Sequence, residues 1–507
     1  MLERERNFED GEVVELTIER LTDRGLGHAT KEAIVGPQRE HKVYDFFVRK
    51  ALPGDRVLVE IDYARRTRCT GHFVELLEPS RLRQIEPRCP HFGRRETPNK
   101  GCGGCTYQNL RYRHQLMIKE RQIKACLQEE HLDPGLVFPA KAMEEPWFYR
   151  NKMEFSFGDT AEGEPALGFH PTGYRHDLIN LESCYLQSRF SSDFMPQVRQ
   201  WCFETGINPY TNRDRDGWLR NLMVRESHHR EERMVELVTT DKDEVVIDGE
   251  AFDPETMAHK FAQAAHRIAD ELGEAITSLY WTQKRVEKGH PTTFDETLLD
   301  GKDHLVEELH LPGQRKLHFQ IHPRAFFQPN TRGAEVLMAE VIAQAGLDEA
   351  ADKGAMKVVD LYCGTGTIGL CLAPFVDRVI GVELQPDAVA NARKNAAAND
   401  LDNLTFYQGH VSDVLAQPEA RRDVESADLL VVDPPRGGLL PPAIDEVLRI
   451  GAPTLIYVSC KPSSLAKNLV DLADGGYHIE VIQPVDQFPQ TFHVECVAVL
   501  RRASHRG

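Results

Sequence analysis

Beyond residue 330 the chain alternates short apolar runs with helical ones, and this alternation constrains the fold more than any other feature. MKVVDLYCGTGTIGLCLAPF (356–375) reads as strand, glycine turn and helix, and RVIGVELQPDAVANARKNAAAN repeats strand then helix. ADLLVVDPPRGG and PTLIYVSCKP are further buried strands. Strands and helices at this spacing predict a doubly wound parallel sheet, an α/β unit that binds ligands beyond the carboxyl ends of its strands.

The glycine turn supplies the first chemical clue. Gly364, Gly366 and Gly369 stand in a G-x-G-x-x-G arrangement, and Glu383 ends the next strand about twenty residues on. Glycines let the backbone turn tightly and approach a ligand, while the carboxylate accepts hydrogen bonds from ribose hydroxyls. NAD and S-adenosylmethionine both carry such a ribose, so the turn alone leaves both open. VVDPPRGG breaks the tie, because it places Asp433 and two prolines at the carboxyl end of a later strand. A dinucleotide enzyme has no evident use for a rigid D-P-P there. A base-modifying methyltransferase needs a polar, shape-fixed loop against a nucleobase.

Cys460, at the tip of the strand in IYVSCKP, lies at the same edge, and Glu495 interrupts the apolar run QTFHVECVAVLR. Buried carboxylates are unusual unless partnered or functional. A thiol and a base beside a methyl donor suggest one chemistry in particular. Carbon 5 of uracil is too weak a nucleophile to attack a sulfonium methyl unaided, and thiolate addition at carbon 6 makes it an enolate carbon that can. Cys363 and Cys496 also fall near this edge and are read as packing neighbours.

At 507 residues the chain exceeds one core and should form about three domains. Alternating segments over residues 8–80, broken by Gly, Pro and Asp, predict a small β-barrel of OB-like type, able to hold single-stranded nucleic acid. Residues 81–318 read as an α+β middle domain, and 319–507 as the Rossmann-like unit. A helix at about 106–130 is a candidate to pack on that last domain. Net charge is −18, which argues against nonspecific coating of nucleic acid. Residues 49–125 nevertheless hold 17 Lys and Arg against 8 Asp and Glu, an asymmetry that suggests a local polyanion-binding face, with a solvated basic surface as the alternative.

Eleven cysteines, an odd number, fit reduced thiols, ligands or catalysis better than a disulfide framework. Cys89, Cys102 and Cys105 share one loop, and Cys184 can complete a four-thiolate site. Spacing alone allows zinc or an iron–sulfur cluster. The N-terminal segment lacks a signal-type apolar stretch, and no run of about 18 apolar residues occurs, so a cytoplasmic protein away from membranes is expected.

The sequence closely resembles the RNA uracil-C5 methyltransferases, most of all the bacterial 23S ribosomal RNA type with an N-terminal TRAM barrel and an iron–sulfur cluster. The matching pieces are the barrel, CGGC, YRNKMEFSF, PRAFFQPNT, DLYCGTGTIGL, VVDPPRGG, YVSCKP and FPQTFHVEC. The resemblance implies Cys460 as nucleophile and Glu495 as the base that takes the carbon 5 proton. It also implies Gln328, Tyr362, Gly364, Glu383 and Asp433 around S-adenosylmethionine and the target base, and a [4Fe-4S] cluster on Cys89, Cys102, Cys105 and Cys184. Lys461 stands where the family usually has Asn, and the insertion RRETPNK before CGGC makes His91 an alternative ligand to Cys89. The implied activity forms 5-methyluridine in RNA, in 23S rRNA first and tRNA as the alternative, by a monomer that does not act on DNA. Two readings of other kinds are a catalytically silent RNA-binding iron–sulfur protein and an NAD-linked oxidoreductase. The absence of C-x3-C-x2-C weighs against a radical methylthiotransferase, which also joins a TRAM barrel to a cluster.

Overall fold

The computed structural model describes residues 7–36, 38–93, 101–173, 176–211, 213–347 and 354–502. The RRETPNK insertion, 94–100, lies outside the described residues. Among the described residues three sheets of six or seven strands and two two-stranded ones organise the chain. The first has six strands in the order Val13–Thr17, Arg56–Arg65, Arg68–Glu78, Glu40–Arg49, Gly27–Val35 and Arg20–Leu21. Its two end strands are halves of one bent segment. Val13–Thr17 pairs with Arg56–Arg65, and after Ile18 and Glu19 the same segment pairs with Gly27–Val35. Every second residue turns inward, so Leu16, Tyr44, Phe46, Val59 and Ile61 share one core.

The central sheet runs Thr293–Gly301, Ser278–Arg285, Arg233–Thr240, Leu219–Glu226, Lys152–Asp159, Pro165–Phe169, Ile179–Asn180. Arg233–Thr240 and Ser278–Arg285 are parallel and are joined through the helix Pro254–Glu271, whereas the other neighbours are antiparallel. That helix presents Met257, Phe261, Ala265 and Ile268 to the sheet at helical spacing. A hairpin, Leu305–Leu311 with Arg315–Ile321, then leads to the helix Thr331–Gln344.

The C-terminal sheet determines where chemistry can occur. Numbered from its own first strand, Gly354–Leu361, its order is 3-2-1-4-5-7-6. Strands 1 to 5 are parallel, but Tyr477–Val485 and Glu495–Arg502 pair antiparallel. The sheet is therefore mixed, where the sequence pattern predicted a parallel one. The reversal has a consequence for Glu495. As the first residue of an antiparallel strand it stands at the carboxyl edge of the parallel ones, beside the end of Thr454–Ser459. The chain order turns back between strands 1 and 4, and a crevice opens at such a switch point.

The helix Tyr112–Glu129 packs on this last unit, with Ile123, Cys126 and Leu127 in one core with Leu465, Leu469, Ile482 and Cys496. A fully buried ion pair fastens it: Lys119 Nζ binds the Asp486 carboxylate and, at 2.9 Å, the carbonyl of Phe488. Among the described residues no helix is long and apolar enough to cross a membrane.

Candidate active site

One cavity of about 880 Å³ opens at the switch point. Cys460, Glu495, Gln328, Tyr362, Gly364, Glu383 and Asp433 all line it. They arrive from separate strand ends: Tyr362 and Gly364 after strand 1, Glu383 at the end of strand 2, Asp433 after strand 4, Cys460 after strand 5. Pro462 explains the proline of the CKP run, since it opens the helix Pro462–Asp474, where a missing N–H costs nothing.

The glycine turn is held from below by a residue the motif reading overlooked. Asp360 is fully buried, and its Oδ2 accepts the Gly369 amide at 2.9 Å. Burial pushes its carboxyl up to about 8, the Gly369 amide opposes that, and the charges of Asp433 and Glu383 add to it. Tyr362 adopts a left-handed φ of 63°, and its amide and that of Cys363 both donate to the Val382 carbonyl. Gly364 has φ 56°, and nothing lies within 4 Å of the place a Cβ would take. The open space faces the cavity, so a ligand can approach this backbone directly. Glu383 accepts from the Gly364 amide at 3.0 Å and the Gln385 amide at 2.8 Å, which fixes the carboxylate at the rim. The loop carrying Gln328 is tied to the turn by Thr365 Oγ1, which donates to the Phe326 carbonyl at 3.3 Å. An open turn, a fixed rim carboxylate and this volume fit an adenosyl cofactor.

Around the thiol, charge is concentrated in a dry place. Cys460 is half-buried, and burial raises its thiol above the ordinary value, helped by Glu495 and Asp433. Arg436 opposes the rise through its charge and a hydrogen bond to the thiol. Glu495 is buried, and desolvation first, then Asp433, hold its carboxyl well above the carboxylate range. Desolvation lifts Asp433 to about 7. Burial therefore raises the proton affinity of the thiol and of both carboxyls together. Cys363 also borders the cavity, whereas Cys496 is fully buried behind it in the apolar core. Arg436, Phe326 and Phe488 line the cavity as well. Arg436 was within sight in the sequence, in the same DPPR turn as Asp433, but an exposed arginine after two prolines carries no sign of its partner.

This chain belongs to the tRNA (uracil-5-)-methyltransferase family. The family match spans residues 235–503, from the central sheet to the end of the last strand. An uncharacterized RNA methyltransferase of Caldanaerobacter subterraneus is 33% identical and aligns over 97% of this chain and 99% of its own. One from Protochlamydia amoebophila is 35% identical over 89% and 98%. The crystal structure of Pyrococcus abyssi tRNA (uracil-54, C5)-methyltransferase in complex with S-adenosyl-L-homocysteine superposes with a TM-score of 0.68 at 25% identity, over 96% of this chain and all of that one. The chain is thus an enzyme of the S-adenosylmethionine-dependent RNA (uracil-5-)-methyltransferases, and membership removes the NAD reading.

A second cluster in this family member lies away from the cavity. Cys89, Cys102, Cys105 and Cys184 are free thiols, and every pair among them is close enough to interact through charge. Burial pushes all four up, Cys102 to about 12. The Gly104 amide donates to Cys102 Sγ at 3.4 Å. Lys50 reaches in from the first sheet, with Nζ 2.9 Å from the Phe92 carbonyl and 3.1 Å from that of Cys102. Burial lowers this ammonium to about 8 against the opposing pull of the thiols. Among the described residues no three of these sulfurs lie within 4.8 Å of one another, a spread too wide for a single tetrahedral ion. His91 accepts the Glu182 amide at its Nε2, 3.0 Å away, and that nitrogen is already engaged.

Proposed function

We propose that this enzyme forms 5-methyluridine in RNA by covalent catalysis, with Cys460 as nucleophile and Glu495 as base. The observation that carries the reading is the single cavity in which a half-buried thiol, a buried carboxyl and the open glycine turn meet. S-adenosylmethionine supplies an electrophilic methyl group. Cys460 sulfur bonds to carbon 6 of uracil, and the carbon 5–carbon 6 π electrons move toward oxygen 4. Carbon 5, now electron-rich, bonds to the methyl carbon as its bond to the sulfonium sulfur breaks, and S-adenosylhomocysteine leaves. Glu495 then removes the carbon 5 proton; those electrons restore the double bond and the sulfur–carbon 6 bond breaks. Glu495 takes the proton in its ionised form, and the charge of Arg436, which opposes the effect of burial on both groups, favours that form and the thiolate of Cys460. Gln328, Tyr362, Gly364 and Glu383 serve the cofactor, and Asp433 the cofactor and base. Phe326 and Phe488 offer ring faces to a uracil flipped from its stack.

The cysteines Cys89, Cys102, Cys105 and Cys184 are proposed to hold a [4Fe-4S] cluster with a structural or RNA-positioning role, since methyl transfer moves no net electrons. Cys89 is favoured over His91 because His91 Nε2 already accepts the Glu182 amide. The first sheet is proposed as a TRAM, OB-like barrel over residues 8–80 that holds RNA, supported by the bent segment that borders both of its ends and by the basic stretch that follows. The domains 81–318 and 319–507 are proposed likewise, with the helix Tyr112–Glu129 as a strap from the first to the second.

The substrate is proposed to be 23S rRNA, at an unpaired uridine, from the combination of barrel and cysteine cluster. A transfer RNA substrate is the second reading, favoured by the Pyrococcus abyssi enzyme named above. Mass-spectrometric mapping of 5-methyluridine in ribosomal and transfer RNA, with and without the gene, tests both. Loss of one site in 23S rRNA is expected; loss from tRNA alone selects the second reading, and an unchanged modification map contradicts both.

A further inference from the structure

We propose that His229, His310 and Glu335 form a binding site for a divalent transition-metal cation of the zinc type, at the seam between the central sheet and the methyltransferase unit. Their ligand atoms lie within 4.8 Å of one another. Three separate segments deliver them. His229 sits in the turn joining Leu219–Glu226 to Arg233–Thr240, His310 in the strand Leu305–Leu311, and Glu335 in the helix Thr331–Gln344. His229 Nε2 is 2.8 Å from Glu335 Oε1. Donors about 2.0–2.1 Å from a tetrahedral zinc stand ~3.4 Å apart, so insertion of the ion asks this contact to open by roughly half an ångström. The imidazoles of His229 and His310 are stacked, with centroids 3.9 Å apart and planes 20° apart. Stacking at this distance suits neutral rings, the form that ligates metals.

The surroundings hold these donors in place. Buried Glu307 accepts the amides of His228 at 2.7 Å and His229 at 3.2 Å, the Ser227 hydroxyl at 2.9 Å and the Thr331 hydroxyl at 2.6 Å. The turn is thereby pinned before any ion arrives. Glu308 Oε2 lies 3.2 Å from His310 Nε2, the kind of carboxylate contact that orients ligating histidines. The nearby cations have other partners: Arg230 and Lys316 pair with Glu308, and Arg332 contacts His228. Among the described residues Glu335 has no lysine or arginine partner, and its Oε1 accepts the His310 backbone amide at 2.8 Å besides meeting His229. Two histidines and one glutamate leave a fourth position for water. An ion here would staple the central turn to the helix Thr331–Gln344. Thr331 in turn bonds Asn151 Nδ2, which also donates to the Gln328 carbonyl at 2.8 Å. The staple would thus steady the loop at the cavity rim.

The test is zinc stoichiometry after dialysis of the full chain against buffered Zn²⁺, measured by elemental mass spectrometry, for wild type, His229→Ala, His310→Gln and Cys102→Ser. The two histidine variants are expected to bind one equivalent less than wild type, whereas Cys102→Ser keeps that equivalent. Substitution of Co²⁺ in the Cys102→Ser protein should give a visible d–d absorption that the added His310→Gln change removes, whatever sulfur-to-metal charge transfer Cys89, Cys105 and Cys184 contribute. Cooperative melting of each variant without metal certifies its fold, and added Zn²⁺ should raise the melting temperature of wild type more than that of His310→Gln. Equal zinc content in wild type and both histidine variants overturns the proposal, as does a cobalt spectrum that the histidine changes leave unaltered.

Discussion

The ion pair between Lys119 and Asp486 offers a quantitative test of how the helix Tyr112–Glu129 supports the site. Both side chains are 0% exposed, and they are 367 residues apart in sequence. Lys119→Met keeps the length and removes the charge, leaving Asp486 without its cation in a dry core. Removing one partner of a buried pair costs about 3–5 kcal/mol, whereas replacing both by apolar groups is often neutral. A loss of ~4 kcal/mol is roughly a thousand-fold in the folded-to-unfolded ratio. The double variant Lys119→Met/Asp486→Leu should recover most of it. Urea unfolding, followed by fluorescence and by circular dichroism to check for a single transition, measures all four corners of the cycle. Because Lys119 also binds the Phe488 carbonyl and Phe488 lines the cavity, the single variant should weaken RNA binding at temperatures where it remains folded. A Lys119→Met protein within about 0.5 kcal/mol of wild type, or a double variant as unstable as the two single losses combined, would refute the reasoning.

Other consequences follow from the charges at the site. Burial raises the Cys460 thiol, so the single-turnover methylation rate should climb with pH through the neutral range, and Arg436→Gln should move that rise to higher pH; a superimposable profile argues against a thiolate role for Arg436. Glu495→Gln should melt at a higher temperature than wild type at pH 8. A carboxyl whose folded value lies above its unfolded value of 4.5 costs stability as pH rises past that unfolded value, so the gap should close as pH falls toward 5. A gap that widens on acidification reverses the sign and contradicts the burial argument. For the thiol cluster, anaerobically purified protein should contain iron and absorb in the visible, and Cys184→Ser should lose both; zinc in place of iron in the wild type would exclude the [4Fe-4S] assignment.

Much of the cavity could be read from the chain because its parts are local motifs at strand ends. Strand, glycine turn and helix specify Gly364 through short-range geometry, and Asp433 and Cys460 follow apolar runs that have to be buried strands. What stayed hidden depends on residues distant in sequence. The antiparallel pairing of Glu495–Arg502 is set by its register with Thr454–Ser459, and no local periodicity separates it from a parallel strand. Asp360 reads as an ordinary strand residue until the Gly369 amide is seen to need its carboxylate. Lys119 looks like one of several cations on a basic helix, and only the packing of that helix on the last sheet takes it out of water. His229, His310 and Glu335 meet across three segments, a convergence that spacing cannot announce.

The central claim concerns a bond between the Cys460 sulfur and uracil. Purified Glu495→Gln protein, mixed with substrate RNA and S-adenosylmethionine and run on a denaturing gel, should retain RNA in a species one RNA heavier whose mass includes one added methyl. Adding Cys460→Ala to that variant should abolish the species. Turnover of RNA to 5-methyluridine by Cys460→Ala at the wild-type rate contradicts the account.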